Sequence, residues 1–124
     1  MSEPSFSISA TVLGTPDPAG LARFWADLLG WETTWSAPEW VMIKPPGGGT
    51  GLSFQLETGH VPPVWPAGDG DQQMQLHLDV RVDDLAAGVD RAVALGGRLA
   101  EHQPHDDVRV LLDPAGHPFC LFEN

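Results

Sequence analysis

Apolar and polar residues alternate near the start of the chain, and the same alternation returns in its second half. In residues 6–13 the apolar side chains that would share one strand face are Phe6, Ile8, Ala10 and Val12. A period of two is typical of a half-buried β-strand. In residues 74–81 the corresponding apolar positions are Met74, Leu76, Leu78 and Val80. We therefore predict a strand at the start of each half of the chain.

Each predicted strand is followed by an acidic residue and then by the apolar spacing of a helix. Asp17, and either Asp83 or Asp84, can accept hydrogen bonds from the exposed amides of a helix start. Gly30 and Gly96 come 13 residues after Asp17 and Asp83, and glycine is the usual residue at a left-handed helix end. The apolar stripes that we expect to be buried are Leu21, Phe24, Trp25, Leu28 and Leu29 in the first helix, and Leu85, Val89, Ala92 and Val93 in the second.

Further short apolar segments complete the same order of elements in both halves. The predicted strands lie near residues 31–35, 40–44, 52–57, 98–102, 108–112 and 117–122. The pattern predicts two β-α-β-β-β modules, over about residues 5–58 and 74–124, joined by a loop at 59–73 that is rich in proline and glycine. We expect one α+β domain made of these two modules.

Composition and charge indicate which kinds of partner the protein can bind and in which cellular compartment it is expected. A chain of 124 residues is long enough for one compact core. The formal charge of −11 would repel a phosphate backbone, so we expect no nucleic-acid partner. We see neither a signal peptide nor an apolar run of membrane-spanning length, so we expect no membrane partner. Cys120 has no second cysteine to pair with, and the protein is therefore expected to be cytoplasmic.

Several short motifs connect this pattern with a known superfamily. They are Phe24-Trp25, Leu29-Gly30-Trp31, His77-Leu78-Asp79, and Asp113-Pro114 with Gly116 and Pro118-Phe119-Cys120-Leu121. Together with the two modules, they resemble the vicinal-oxygen-chelate superfamily, which includes glyoxalase I, bleomycin-resistance proteins and extradiol dioxygenases. More narrowly, the same motifs look like those of the small glyoxalase-like proteins common in actinobacteria. The resemblance implies a cup-shaped, mixed and mostly antiparallel sheet with helices outside, and a homodimer.

The resemblance also implies four positions at which metal-dependent members hold their ion. In this sequence they correspond to Ala10 (Thr11 if the register slips by one), Gln55, His77 and Cys120. Only His77 is a conventional ligand, and Ala10 has no donor atom at all. A site for a divalent metal needs several matched donors. We therefore predict that the cup binds neither a metal nor any other cofactor.

His77 is the best candidate for proton transfer, because it is the one titratable group near neutral pH in the predicted cup. Asp79 faces the same side and either orients His77 or forms a structural ion pair with Arg81 or Arg109. Cys120 is expected to be a small buried side chain rather than a nucleophile. Gln55 is expected to face the cavity. The catalytic residue, if there is one, stays unidentified.

The tryptophans divide into core and pocket candidates. Trp25 and Trp31 are expected in the core, where helix and strand pack. Trp40 and Trp65, like Trp35, lie in or beside irregular segments and either close a pocket over a ligand or make a dimer contact. The remaining histidines fall in turns and carry no recognisable spacing: His60, His102, His105 and His117.

These residues are consistent with two kinds of function. The first is binding of a small organic molecule in the cup without metal, by Gln55, His77, Asp79 and Cys120 with Trp40 and Trp65. The acidic balance suits a neutral or cationic ligand, which a tryptophan can bind by cation–π contact. The alternative is an enzyme, a lyase, isomerase or dioxygenase, that uses His77 as a base or as part of an unusual metal site.

Overall fold

The computed structural model describes residues 3–124 of the chain, in which two helices and eight strands are defined. In chain order they are β1 (Ala10–Thr15), α1 (Pro18–Leu29), β2 (Glu32–Ala37), β3 (Trp40–Lys44), β4 (Gly51–Leu56), β5 (Leu78–Arg81), α2 (Leu85–Ala94), β6 (Arg98–Leu99), β7 (Val108–Leu112) and β8 (Pro118–Phe122).

The strands form two four-stranded sheets of the same topology, with the orders β1-β4-β3-β2 and β5-β8-β7-β6. In each sheet the first strand pairs in parallel with the last, and the other pairs are antiparallel. Each helix follows the first strand of its own sheet. The predicted α+β fold of two β-α-β-β-β modules with mixed, mostly antiparallel sheets is confirmed.

Both helices begin at the acidic residues that the sequence indicates, but only α1 ends at its predicted glycine. The C-cap of α2 is Leu95 in the right-handed conformation, and Gly96, with a φ of +117°, follows it. Asp17 caps α1 by accepting from the Gly20 amide, and Gly30 ends it in the left-handed conformation. For α2 the structure selects Asp84 rather than Asp83, because the Asp84 carboxylate accepts from the Ala87 amide at 3.1 Å. Neither helix within residues 3–124 has the length and apolarity that crossing a membrane requires.

The prediction of where three strands lie is wrong at one end of each. Residues 6–9 precede β1, and Phe6 and Ile8 are 91% and 77% exposed instead of half-buried. A strand continues only where a neighbouring strand supplies hydrogen bonds. The neighbour of β1 is β4, which begins at Gly51, and the Gly51 amide donates to the Ser9 carbonyl. The pairing of β1 therefore begins near this point of the chain. Residues 74–77 likewise precede β5, which begins where β8 becomes available for pairing. The strand expected at 98–102 ends at Leu99.

Helix α1 connects the two modules. Trp25 is almost completely buried, and its ring meets the Phe119 ring edge-on with 4.9 Å between the centroids. The Phe24 ring also contacts Phe119, and it lies so close to Gly97 that a Cβ there would be 3.3 Å from it. The predicted core position of Trp25 is confirmed, and Trp31 is half-buried against the same core.

Residues 57–77, which we call the link segment, contain no helix or strand and join β4 to β5. The His60 imidazole lies against the turn before β8, with Nε2 at 2.8 Å from the Ala115 carbonyl oxygen. Gly116 in that turn has a φ of +92°, and a Cβ on it would lie 2.8 Å from the Pro62 Cβ. Glycine is therefore required there both by the backbone conformation and by the close approach of the link segment.

Candidate functional site

Each sheet has a face that packs against the helical core and an opposite face, which we call the open face. In the first sheet the core-facing side chains are Val41, Ile43, Leu52 and Phe54. Strand alternation then puts Trp40, Met42, Ser53 and Gln55 on the open face, although Ser53 is itself buried there. In the second sheet Leu111, Phe119 and Leu121 face the core, so Asp79, Cys120 and the buried Val110 lie on the open face.

Three of the candidate residues meet on the open face of the second sheet. The parallel register of β5 and β8 sets Asp79 beside Cys120, and His77 lies two residues before Asp79 on the same side. His77 Nε2 is 3.1 Å from Asp79 Oδ1, and these side chains are 40% and 61% exposed. One potential ligand atom from each of the three residues lies within 4.8 Å of the other two. We call His77, Asp79 and Cys120 the open-face triad.

The environment of Cys120 keeps its thiol protonated. Partial burial raises the pKa of Cys120 above its ordinary value, and the nearby Asp79 carboxylate raises it further by its charge and by a hydrogen bond. The thiolate, rather than the thiol, is the nucleophile and the metal ligand. At neutral pH Cys120 therefore offers the triad a neutral thiol.

Removing the charge of Asp79 should make this thiol more reactive. A raised pKa means that the thiolate forms only at higher pH, so Asp79→Asn should shift the pH dependence of alkylation downwards. At pH 8 we expect iodoacetamide to react about five-fold faster, because a unit charge about 4 Å away contributes about 1 kcal/mol in water. The rate of carbamidomethylation, followed by mass spectrometry, measures the shift.

Asp69→Asn is the control for this experiment, since it removes the same charge from an exposed position in the link segment. It should leave the alkylation rate as in the unaltered protein. Equal rates in all three proteins would show that Asp79 does not act on Cys120.

Trp40 and Gln55 are cross-strand neighbours on the open face of the first sheet. Gln55 Nε2 donates to Glu57 Oε1 at 2.6 Å, and Glu57 is a residue that the sequence interpretation did not single out. A Cβ on Gly14 would lie 3.0 Å from the Glu57 Cγ, so the glycine leaves space for this carboxylate beside Gln55. Because residues two apart in a strand lie on the same face, the sequence could have predicted that Gln55 and Glu57 are neighbours.

The strand register separates Ala10 from Gln55. Ala10 is opposite Gly51, whereas Gln55 is opposite Gly14, four residues further along β1. At about 3.3 Å per residue, the two positions are about 13 Å apart along the strand. The residue of β1 beside Gln55 thus has no side chain that could donate to a metal.

Trp65 packs on a different part of the molecule. Its ring stacks at a tilt on the His102 imidazole, with 5.5 Å between the centroids. This contact holds the link segment against the residues that follow β6. Trp35, by contrast, is largely exposed on β2.

A second cluster of polar side chains surrounds Asp113, which is almost fully buried. Its carboxylate accepts from Trp25 Nε1, from the amides of Ala115 and His117, and from His117 Nδ1, over distances of 2.9–3.0 Å. The His60 ring lies 5.3 Å from the His117 ring. Sequence reasoning treated both histidines as turn residues. The Asp113-x-x-x-His117 spacing was the available signal.

Comparison with known proteins agrees with the fold. The family model described as a glyoxalase-like domain matches residues 10–122. No curated protein matches the sequence significantly.

Three solved structures illustrate the similarity. A glyoxalase-related enzyme from Fulvimarina pelagi is 23% identical, with a TM-score of 0.67 over 95% of this chain and 88% of that chain. A glyoxalase/bleomycin resistance protein/dioxygenase family enzyme from Burkholderia phytofirmans is 18% identical, with a TM-score of 0.68 over 93% and 96%. An antibiotic-binding protein from a Streptomyces species is 18% identical, with a TM-score of 0.62 over 98% of both chains.

Proposed function

This chain belongs to the glyoxalase-like domain family, and from that premise we propose that it binds a small organic molecule on its open faces without a metal ion. The ligand-binding residues of this proposal are Gln55, His77, Asp79 and Cys120, with Trp40 stacking on the ligand. Trp65, which the sequence also suggested for this role, is left out because its ring packs on His102. The observation that carries the proposal is the convergence of the open-face triad, whose imidazole and carboxylate are accessible from solvent.

The donor set argues against a tightly held metal. Metal ligands must be deprotonated, and the raised pKa of Cys120 opposes this at neutral pH. The Gln55 amide already donates to Glu57, and β1 offers only Gly14 beside it. The residues present therefore do not fit the four-ligand site implied by the superfamily, and no metal or other cofactor enters the proposal.

The same groups suit an organic ligand that donates hydrogen bonds. Asp79 and Glu57 are acceptors on the two open faces, and the whole chain has a formal charge of −11. A cationic or neutral molecule with a flat apolar part would satisfy these carboxylates and stack on Trp40. The similar Streptomyces protein binds an antibiotic, which supports a small-molecule ligand for this fold.

A second candidate function rests on the geometry of the triad itself. An imidazole, a carboxylate and a thiol within 4.8 Å of one another resemble a three-ligand site that keeps a position open for substrate. Alternatively, His77 acts as a base oriented by Asp79, as their 3.1 Å contact favours. A lyase, isomerase or dioxygenase would use one of these arrangements.

The binding proposal is tested with a planar aromatic cation, proflavine, as the probe. Proflavine should quench tryptophan fluorescence saturably, and His77→Ala should weaken its binding about ten-fold, since one hydrogen bond to a charged or polar partner is worth about 1–2 kcal/mol. His105→Ala is the control, because His105 is an exposed histidine away from the triad. Equal affinities of all three proteins for proflavine would contradict the proposal.

A homodimer in the cytoplasm completes the proposal. Phe6 and Ile8 are exposed large apolar residues two positions apart in the segment before β1, and a second copy of the chain would cover them. The single cysteine supports a reducing compartment.

A further inference from the structure

A cleft of about 280 Å³ lies where β1 meets the link segment and the turn before β8. Its apolar wall includes Val12, Val61, Pro63 and Met74, and the rings of His60 and His117 also line it. Pockets that bind small molecules are usually about 300–1,000 Å³, so this cleft has room for a molecule of one or two rings. It shares no lining residue with the open-face triad, although His77 and His117 both line a small adjoining space.

The hydrogen bonds of His117 determine which of its ring nitrogens faces a ligand. Its Nδ1 lies 2.9 Å from the Asp113 carboxylate, which is buried and receives three other donors. A buried carboxylate with this many donors is an acceptor, so Nδ1 carries the proton. In the neutral ring Nε2 then has a lone pair, on the edge of the imidazole away from Asp113.

The adjacent His60 is fixed in the opposite tautomer. Its Nε2 is 2.8 Å from the Ala115 carbonyl oxygen, which can only accept, so the proton is on Nε2 and the lone pair on Nδ1. The two rings are 5.3 Å apart at a tilt of 44°. Each imidazole thus keeps one ring nitrogen that can accept a hydrogen bond, and both rings belong to residues that line the cleft beside its apolar wall.

We propose that this cleft is a second binding site, for a small aromatic molecule with a hydroxyl group that donates to His117 Nε2. The apolar wall and the imidazole rings would contact the aromatic ring, and the hydroxyl would satisfy the lone pair that Asp113 orients. An anionic ligand is disfavoured, because it would meet two acceptors in a protein of formal charge −11. Asp113 is a positioning residue in this site, and His117 is the residue that contacts the ligand.

Phenol and its methyl ether anisole test the proposal, because only phenol has a proton to donate. Both are titrated into ¹⁵N-labelled protein and their dissociation constants are obtained from amide chemical shifts. His117→Phe keeps an aromatic ring but has no acceptor. The preference for phenol, given as the anisole-to-phenol ratio of dissociation constants, should fall about three- to ten-fold in this variant, the loss of one neutral hydrogen bond.

Two further variants locate the site and test the proposal independently of whether His117→Phe folds. Val61→Trp should fill the cleft and weaken both ligands, and it tests the proposal even if His117→Phe does not fold, since Val61 is largely exposed. His105→Ala changes an exposed histidine that lines neither the cleft nor the triad, and it should leave both dissociation constants unchanged. The proposal is overturned if the phenol preference persists in His117→Phe, if Val61→Trp binds both ligands normally, or if neither ligand binds the unaltered protein saturably.

Discussion

Replacing Asp113 with asparagine is expected to lower the free energy of unfolding by about 3–5 kcal/mol, the range for breaking a buried charged network. The asparagine amide would have one acceptor oxygen instead of two. Its NH₂ group would face Trp25 Nε1, which now donates to Asp113 Oδ2 at 3.0 Å. Two donors would then oppose each other in the core, at the contact that joins α1 to the turn before β8. Urea denaturation monitored by circular dichroism measures the loss.

A double-mutant cycle identifies the cause of that loss. In a Trp25→Phe background the opposing donor is absent, so Asp113→Asn should cost at least about 1 kcal/mol less than in the unaltered protein. Asp69→Asn, an exposed acidic residue, should change the stability by less than about 0.5 kcal/mol. Additive effects of Asp113→Asn and Trp25→Phe would mean that this hydrogen bond does not stabilise the fold.

Replacing Phe6 and Ile8 together with serine is expected to raise the dissociation constant of the proposed homodimer by at least about 100-fold. Burying one such side chain in an interface contributes about 1.5–3 kcal/mol, so the pair accounts for at least about 3 kcal/mol. Both residues are exposed in the single chain, and so their replacement should leave its folding intact. Sedimentation equilibrium over a range of concentrations measures the dissociation constant.

The matched control replaces Val93 in α2 and Leu99 in β6 with serine. Both are exposed, so the prediction that Val93 belongs to the buried stripe of α2 is wrong. That variant should remain dimeric. Sedimentation of the unaltered protein as a monomer at micromolar concentration would contradict the dimer, and so would a Phe6 and Ile8 variant that associates normally.

Features that depend on neighbouring residues in the chain were predictable. The cap of α1 at Asp17 and its end at Gly30 follow from side-chain and backbone preferences that act within one turn. Alternation along β3 also predicts its faces, because buried and half-buried positions alternate along its whole length. In β4 the alternation predicts less, because Ser53 is buried on the face opposite Leu52 and Phe54, and Leu56 is exposed. The ends of β1 and β5 were not predictable, because they depend on where a partner strand begins.

For the same reason, only part of the candidate site could be predicted from the sequence. The alternation of His77 and Asp79 puts them on one side of a strand, but Cys120 joins them only through the register of β5 and β8. The contact of His60 with Ala115 spans 55 residues of sequence and passes through a segment without periodicity. No local pattern indicates that a histidine in the link segment meets one in the turn before β8.

The metal content of the purified protein tests the central proposal most directly. Elemental analysis of freshly purified protein and of His77→Ala should give the same background level of zinc, nickel and iron in both, because Cys120 stays protonated and β1 supplies no donor beside Gln55. About one equivalent of any of these metals per chain, lost in His77→Ala, would contradict the account and identify the open-face triad as a metal centre.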